Sequence, residues 1–125
     1  MANQASLIPI YNTNGDADAF LLYPYLFNRT GDWIGFVTSN REVYSVRGEY
    51  VGTLTNDPRI VGKRAKGETK PRIQPPPAPN RVQPPNSIPL APMMPDLSYS
   101  LIDILLDEPE KLHTLDSGES RPDMD

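Results

Sequence analysis

A mainly β fold is predicted for this chain: a small pseudo-symmetric array of three to four β-hairpins, then a proline-rich extended segment and one short C-terminal α-helix. Three observations predict it. A phrase of aromatic, glycine and acid recurs at near-constant spacing through the first half. Nine of the ten aromatic residues lie at or before Tyr50, so the core-forming material is concentrated there. Ten of the fifteen prolines then fall between Pro71 and Pro95, and Leu/Ile residues at helical spacing follow them.

Each hairpin is read from one repeat unit. The units are IPIYNTNGDADAFLL, PYLFNRTGDWIGFV and EVYSVRGEYVGTL. Tyr11, Phe27 and Tyr44 each stand four residues before a glycine (Gly15, Gly31, Gly48), and Asp16, Asp32 and Glu49 follow those glycines directly. A small residue, Ala19, Gly35 or Gly52, stands four places beyond. Short apolar runs around Asn/Thr/Gly segments read as strand, tight turn, strand. Glycine suits a turn position at positive φ, and Asn12, Asn14 and Asn28 suit turns through side-chain bonds to nearby backbone. The small residues predict close approach between strands. IVGKRAKGETK reads as a worn fourth copy, with Ile60 and Val61 as its strand and Gly67 and Glu68 in register. One hairpin cannot hide its apolar face alone, but adjacent ones can.

The run YNTNGDADAFLLYPYLFNRTGDWIGFVTSNREVYSVRGEYVGTLTNDPRIVGKR resembles the four-fold β-flower proteins of bacteria. The resemblance covers roughly residues 7–68, and the proline-rich stretch ending in LSYSL resembles family members more loosely. It implies four hairpins arranged like petals and brings no reaction or site residues with it. A small barrel of the PRC type, with five or six strands, is the competing architecture.

The boundaries that follow are a hairpin-repeat domain over 5–70, a proline-rich linker or strap over 71–95, an amphipathic helix over 96–108 and an acidic tail over 109–125. Proline fixes φ and removes a donor, so the second segment favours polyproline II. Its apolar residues Ile73, Val82, Ile88, Leu90, Met93 and Met94 exceed what a spacer needs. In DLSYSLIDILLDEP, Leu97, Leu101, Ile104 and Leu105 share one helical face, Asp96 or Ser98 suits the start, and Pro109 suits the end. A helix of about ten residues needs a surface to dock on. That surface is its own hairpin domain, a second copy or another protein.

Charge is segregated along the chain. Residues 59–81 carry seven basic side chains against one acid, whereas residues 96–125 carry nine acids against two bases. The candidate basic patch is Arg59, Lys63, Arg64, Lys66, Lys70 and Arg72. Such a block suits nucleic-acid phosphates, but it lacks interleaved aromatics for base stacking, and the acidic tail competes for it. No cysteine is present, which removes disulfides and thiolate chemistry. MANQASLIPIY has neither a basic leader nor a long apolar core, so no signal peptide is expected, and a cytoplasmic setting follows as the default. No membrane span is expected either.

No catalytic constellation is legible. The single histidine, His113, stands in the acidic tail away from any oriented partner. No zinc ligand set or phosphate-binding glycine motif occurs. Asp16, Asp32, Glu49 and Glu68 recur once per unit, and a cation-binding ring is weighed against ordinary solvated turn chemistry, which is the simpler account. The expectation is a non-enzymatic interaction or assembly module with no cofactor and no small-molecule substrate. Its candidate contact residues are Leu97, Leu101, Ile104, Leu105, Ile88, Leu90 and Met93, and its partner is a protein or a second copy. Trp33, Tyr25 and Tyr50 serve either as interface anchors or as core. A nucleic-acid-associated protein using residues 59–72 is the alternative.

Overall fold

A computed structural model describes residues 7–65 and 70–115. Eight strands form one antiparallel sheet in which each strand pairs with the next in sequence. They are β1 (Ile8–Tyr11), β2 (Ala17–Leu22), β3 (Tyr25–Asn28), β4 (Trp33–Val37), β5 (Glu42–Ser45), β6 (Tyr50–Leu54), β7 (Ile60–Lys63) and β8 (Leu101–Asp103). A four-residue helix α1 (Ile104–Asp107) and a 3-10 turn at Pro109–Lys111 follow.

The repeat seen in the sequence is a repeat of geometry. In β1–β2, β3–β4 and β5–β6 the aromatic before the turn pairs with the residue six positions on: Tyr11 with Ala17, Phe27 with Trp33, Tyr44 with Tyr50. One residue then bulges out of register (Asp18, Ile34, Val51), and the small residue pairs with an aliphatic one: Ala19 with Ile10, Gly35 with Leu26, Gly52 with Val43. A bulge bends and twists the strand that carries it. Three in equivalent places curl the sheet.

The turns repeat as well. Asn12, Asn28 and Ser45 each accept, at a side-chain oxygen, the backbone N–H groups two and four residues on. Gly15, Gly31 and Gly48 each donate back to the first carbonyl of the turn at 2.9–3.0 Å. Thr38 and Thr55 open two more turns of related form, at β4–β5 and β6–β7. Arg41 occupies positive φ (66°) where the other units have glycine.

The fourth petal departs from the expected hairpin. Its first strand is β7, as Ile60 and Val61 predict. Its second is β8, delivered only after the whole proline-rich segment has been traversed, with Val61 opposite Asp103 and Lys63 opposite Leu101. Gly67 and Glu68, read as the worn fourth turn, lie outside the described residues. The short C-terminal helix is present, but the extent expected for it, 96–108, is corrected. Residues 101–103 pair with β7 as strand β8, and α1 begins only at Ile104, with Asp103 as its cap accepting from the Leu105 N–H at 3.1 Å. An open edge on β7 offers backbone hydrogen bonds that outweigh the weak propensity of so short a helix.

The sheet has two unlike faces. One is aliphatic: Ile10, Leu21, Leu26, Val37, Val43, Leu54 and Ile60 form a buried cluster that also takes in Ile104, Leu105 and Leu112. Glycines make room for two of these, Leu112 and Ile104. A Cβ on Gly35 would come within 2.9 Å of Leu112, and one on Gly62 within 2.8 Å of Ile104. The other face is aromatic, with Phe36 stacked on Tyr44 at 5.5 Å and Tyr44 edge-on to Tyr50 at 5.7 Å. On that face, too, Tyr25 meets Trp33 at 6.1 Å, in a cluster with Phe27 and Val46. Trp33 is core (9 % exposed), while Tyr25 and Tyr50 are half-buried, Tyr25 against the segment described next and Tyr50 beneath Lys70.

Candidate functional site

The most distinctive surface is where the proline-rich segment crosses the turns. It rides over them in reverse order. The Ile73 N–H donates to the Gly48 carbonyl at 3.0 Å, and the Val82 N–H donates to the Gly31 carbonyl at 3.0 Å. In return, the Ile73 and Val82 carbonyls lie over those glycines, where an added Cβ would come within 2.0 Å and 1.9 Å of the oxygens. Positive φ (83° and 90°) and absence of a side chain are thus both required at Gly48 and Gly31. The arginine before each docking residue grips the same turn. Arg72 donates to the Arg47 carbonyl at 2.7 Å, and Arg81 donates to the Thr30 carbonyl at 2.5 Å and pairs with Asp32 at 2.9 Å.

These grips are spaced by a period within the proline-rich segment itself. Arg72-Ile73-Gln74-Pro75-Pro76 and Arg81-Val82-Gln83-Pro84-Pro85 repeat at nine residues, and Leu90-Ala91 occupies the third place. Nine residues separate the bond at Gly48 from the bond at Gly31, so one period of the strap carries the chain from one turn to the next. Tyrosines on the aromatic face supply two further anchors. The Tyr25 hydroxyl donates to the Pro77 carbonyl at 2.9 Å, and the Tyr11 hydroxyl donates to the Pro89 carbonyl at 2.7 Å. The segment is a strap fixed to its own domain.

Arg59 fastens the seam where the first and last petals meet. Its guanidinium pairs with Asp57 at 2.7 Å and donates to Thr13 Oγ1 at 3.1 Å and to the Pro95 carbonyl at 2.8 Å. Asp103 accepts from both the N–H and the hydroxyl of Thr13 at 2.6 Å. Partial burial pushes the Asp57 carboxyl up. The hydrogen bonds from Arg59 and Thr55 and the Arg59 charge outweigh that, so its pKa lies below the ordinary aspartate value. Tyr44 is raised, by burial first and then by its bond to Glu42.

The sequence-predicted residues divide sharply. Arg59, placed in the basic patch, is 2 % exposed and serves the seam, because a charge so buried needs the partners just named. Arg64 donates to the Tyr99 carbonyl at 2.6 Å and lies 4.4 Å over the Tyr99 ring. Lys70 pairs with Glu42 at 3.5 Å and stands over Tyr50. Arg72 is on the Gly48 turn, Lys63 is exposed, and Lys66 lies outside the described residues. Ile104 and Leu105, read as contact residues, are in the core, and Leu97 and Leu101 are half-buried. Ile88, Leu90 and Met93 remain outward, Leu90 and Met93 at 94 % exposure each. Among the described residues no cluster of three or more His, Asp or Glu is placed to hold a metal ion, and no helix is long and apolar enough to cross a membrane.

A curled meander of bulged hairpins, with a strap laid across its turns, defines a class of small β protein held by its own C-terminal half. The chain belongs to the 4-fold beta flower protein family, whose sequence model matches residues 8–103. The match thus spans the strap and β8 as well as the hairpins. No curated protein and no solved structure matches the chain.

Proposed function

We propose that the chain is a non-enzymatic protein–protein interaction module that presents its strap to a partner, either another protein or a second copy. The observation that carries this reading is the exposure of Leu90 and Met93 on a segment anchored on both sides, by Tyr11 at Pro89 and by Arg59 at Pro95. Large apolar side chains held out from a fixed backbone lose little entropy on docking. Ile88, also exposed, extends the same stretch. The nucleic-acid alternative draws less support, because Arg59, Arg64, Lys70 and Arg72 are engaged within the chain.

Native mass spectrometry of the full-length chain and of a Leu90→Ser/Met93→Ser variant tests the self-association arm. For a foreign partner, the same pair is compared for binding to an isolated candidate. Loss of the complex at unchanged melting temperature is expected. A complex indifferent to both substitutions overturns the proposal.

A further inference from the structure

We infer that the Asn12–Asp16 turn is a binding site for an arginine-bearing extended peptide, Arg followed by Ile or Val, supplied by another chain. The inference rests on the interaction-module reading and names one ligand for it. The three turns are built alike, but the strap fills only two of them in full. At Gly31 and Gly48 a strap N–H reaches the glycine carbonyl, and an arginine reaches the carbonyl just before it. At the first turn, Leu90 stands where Arg72 and Arg81 stand in the other two strap units. The nearest strap atom to a Cβ on Gly15 is Ala91 Cβ at 3.8 Å, against 1.9–2.0 Å for the carbonyls over the other two glycines.

The strap therefore meets this turn only through the Ala91 methyl, without a hydrogen bond. Among the described residues no hydrogen bond reaches the Asn14 or Gly15 carbonyl, nor the Asp16 carboxylate, which corresponds to the Asp32 that holds Arg81. Asp16 is exposed. Beside it a groove of about 330 Å³ runs between Tyr11, Phe20 and the strap residues Pro84, Ile88 and Leu90. Arg29 also lines the groove, its charge answered by Asp18 at 3.6 Å. The occupant follows from the two filled turns, which show this fold gripping Arg-Ile and Arg-Val. Asp16 supplies the complementary charge for a guanidinium.

The test is a titration of the full-length chain with a synthetic peptide of residues 79–86, followed by amide shifts in the ¹⁵N spectrum. Saturable shifts at Asn14–Ala17 are expected, with affinity reduced about tenfold by Asp16→Asn, since a charge-assisted bond is lost. Leu90→Arg, which gives the strap its own third arginine, is expected to abolish peptide binding. Both positions are exposed and neither substitution touches the core, so both variants are expected to fold. No shifts at millimolar peptide, shifts at Thr30–Asp32 instead, or equal affinity for Asp16→Asn would each overturn the assignment. If the peptide fails while Leu90→Ser/Met93→Ser still loses its complex, the arginine site falls and the interaction module stands.

Discussion

The two faces of this sheet are closed by opposite means. On the aliphatic face, Ile104, Leu105 and Leu112 are driven in by burial, each contributing on the order of 1.5–3 kcal/mol by removal from water. On the aromatic face, the strap is tied by backbone hydrogen bonds, two arginines and two tyrosine hydroxyls, and its docking residues Ile73 and Val82 are only half-buried. A net hydrogen bond is worth only ~0.5–1.5 kcal/mol. The first closure is strong and fixed, while the second is spread over many weak, spaced contacts. A hairpin domain of about 60 residues is marginal alone, and both closures come from the half of the chain that lacks a repeat of its own hairpins.

The comparison can be broken at points of decreasing cost. Ile104→Ala, in the aliphatic cluster, is expected to lose about 4 kcal/mol in denaturant unfolding, through lost transfer energy and a cavity. Arg59→Ala leaves Asp57 and the seam unanswered and is expected to cost about 3 kcal/mol by the same measurement. Gly31→Ala combines positive φ with a clash on the Val82 carbonyl; about 2 kcal/mol and rapid proteolysis within residues 77–90 are expected. Asp57 gives a pH signature. Its folded pKa is depressed, so its contribution is present above the unfolded value and is lost as pH falls through the folded one. Acid unfolding of Asp57→Asn should accordingly be shallower below pH ~4 than that of the wild type. Arg81→Ala removes an exposed pair and should cost about 0.5 kcal/mol, read as a small shift in melting temperature.

The hairpins were legible because their determinants are local: a turn-opening side chain, a glycine at positive φ and a bulge, all within eight residues of one another. The aliphatic plug was legible in composition, since Ile104 and Leu105 stand out in an acidic region, but its secondary structure was not. Whether LID continues as helix or strand depends on β7's open edge, which is remote in sequence. The strap was the least legible part. Its hydrogen-bond partners lie 25 and 51 residues away, and polyproline II carries no amphipathic period to read. One signal in the sequence does point to it: the nine-residue recurrence of Arg-Ile-Gln-Pro-Pro as Arg-Val-Gln-Pro-Pro, against glycine turns in the first half. Arg59 was misplaced because sequence cannot show which member of a basic run turns inward.

Amide hydrogen exchange along residues 71–95 of the full-length chain tests most directly whether the strap is a folded part of the flower. Slowed exchange at the Ile73 and Val82 N–H groups, with free exchange at Ala91, is the pattern required by the bonds to Gly48 and Gly31 and by the absence of such a bond at Gly15. Uniform exchange at the rate of an unstructured chain across all three would contradict it.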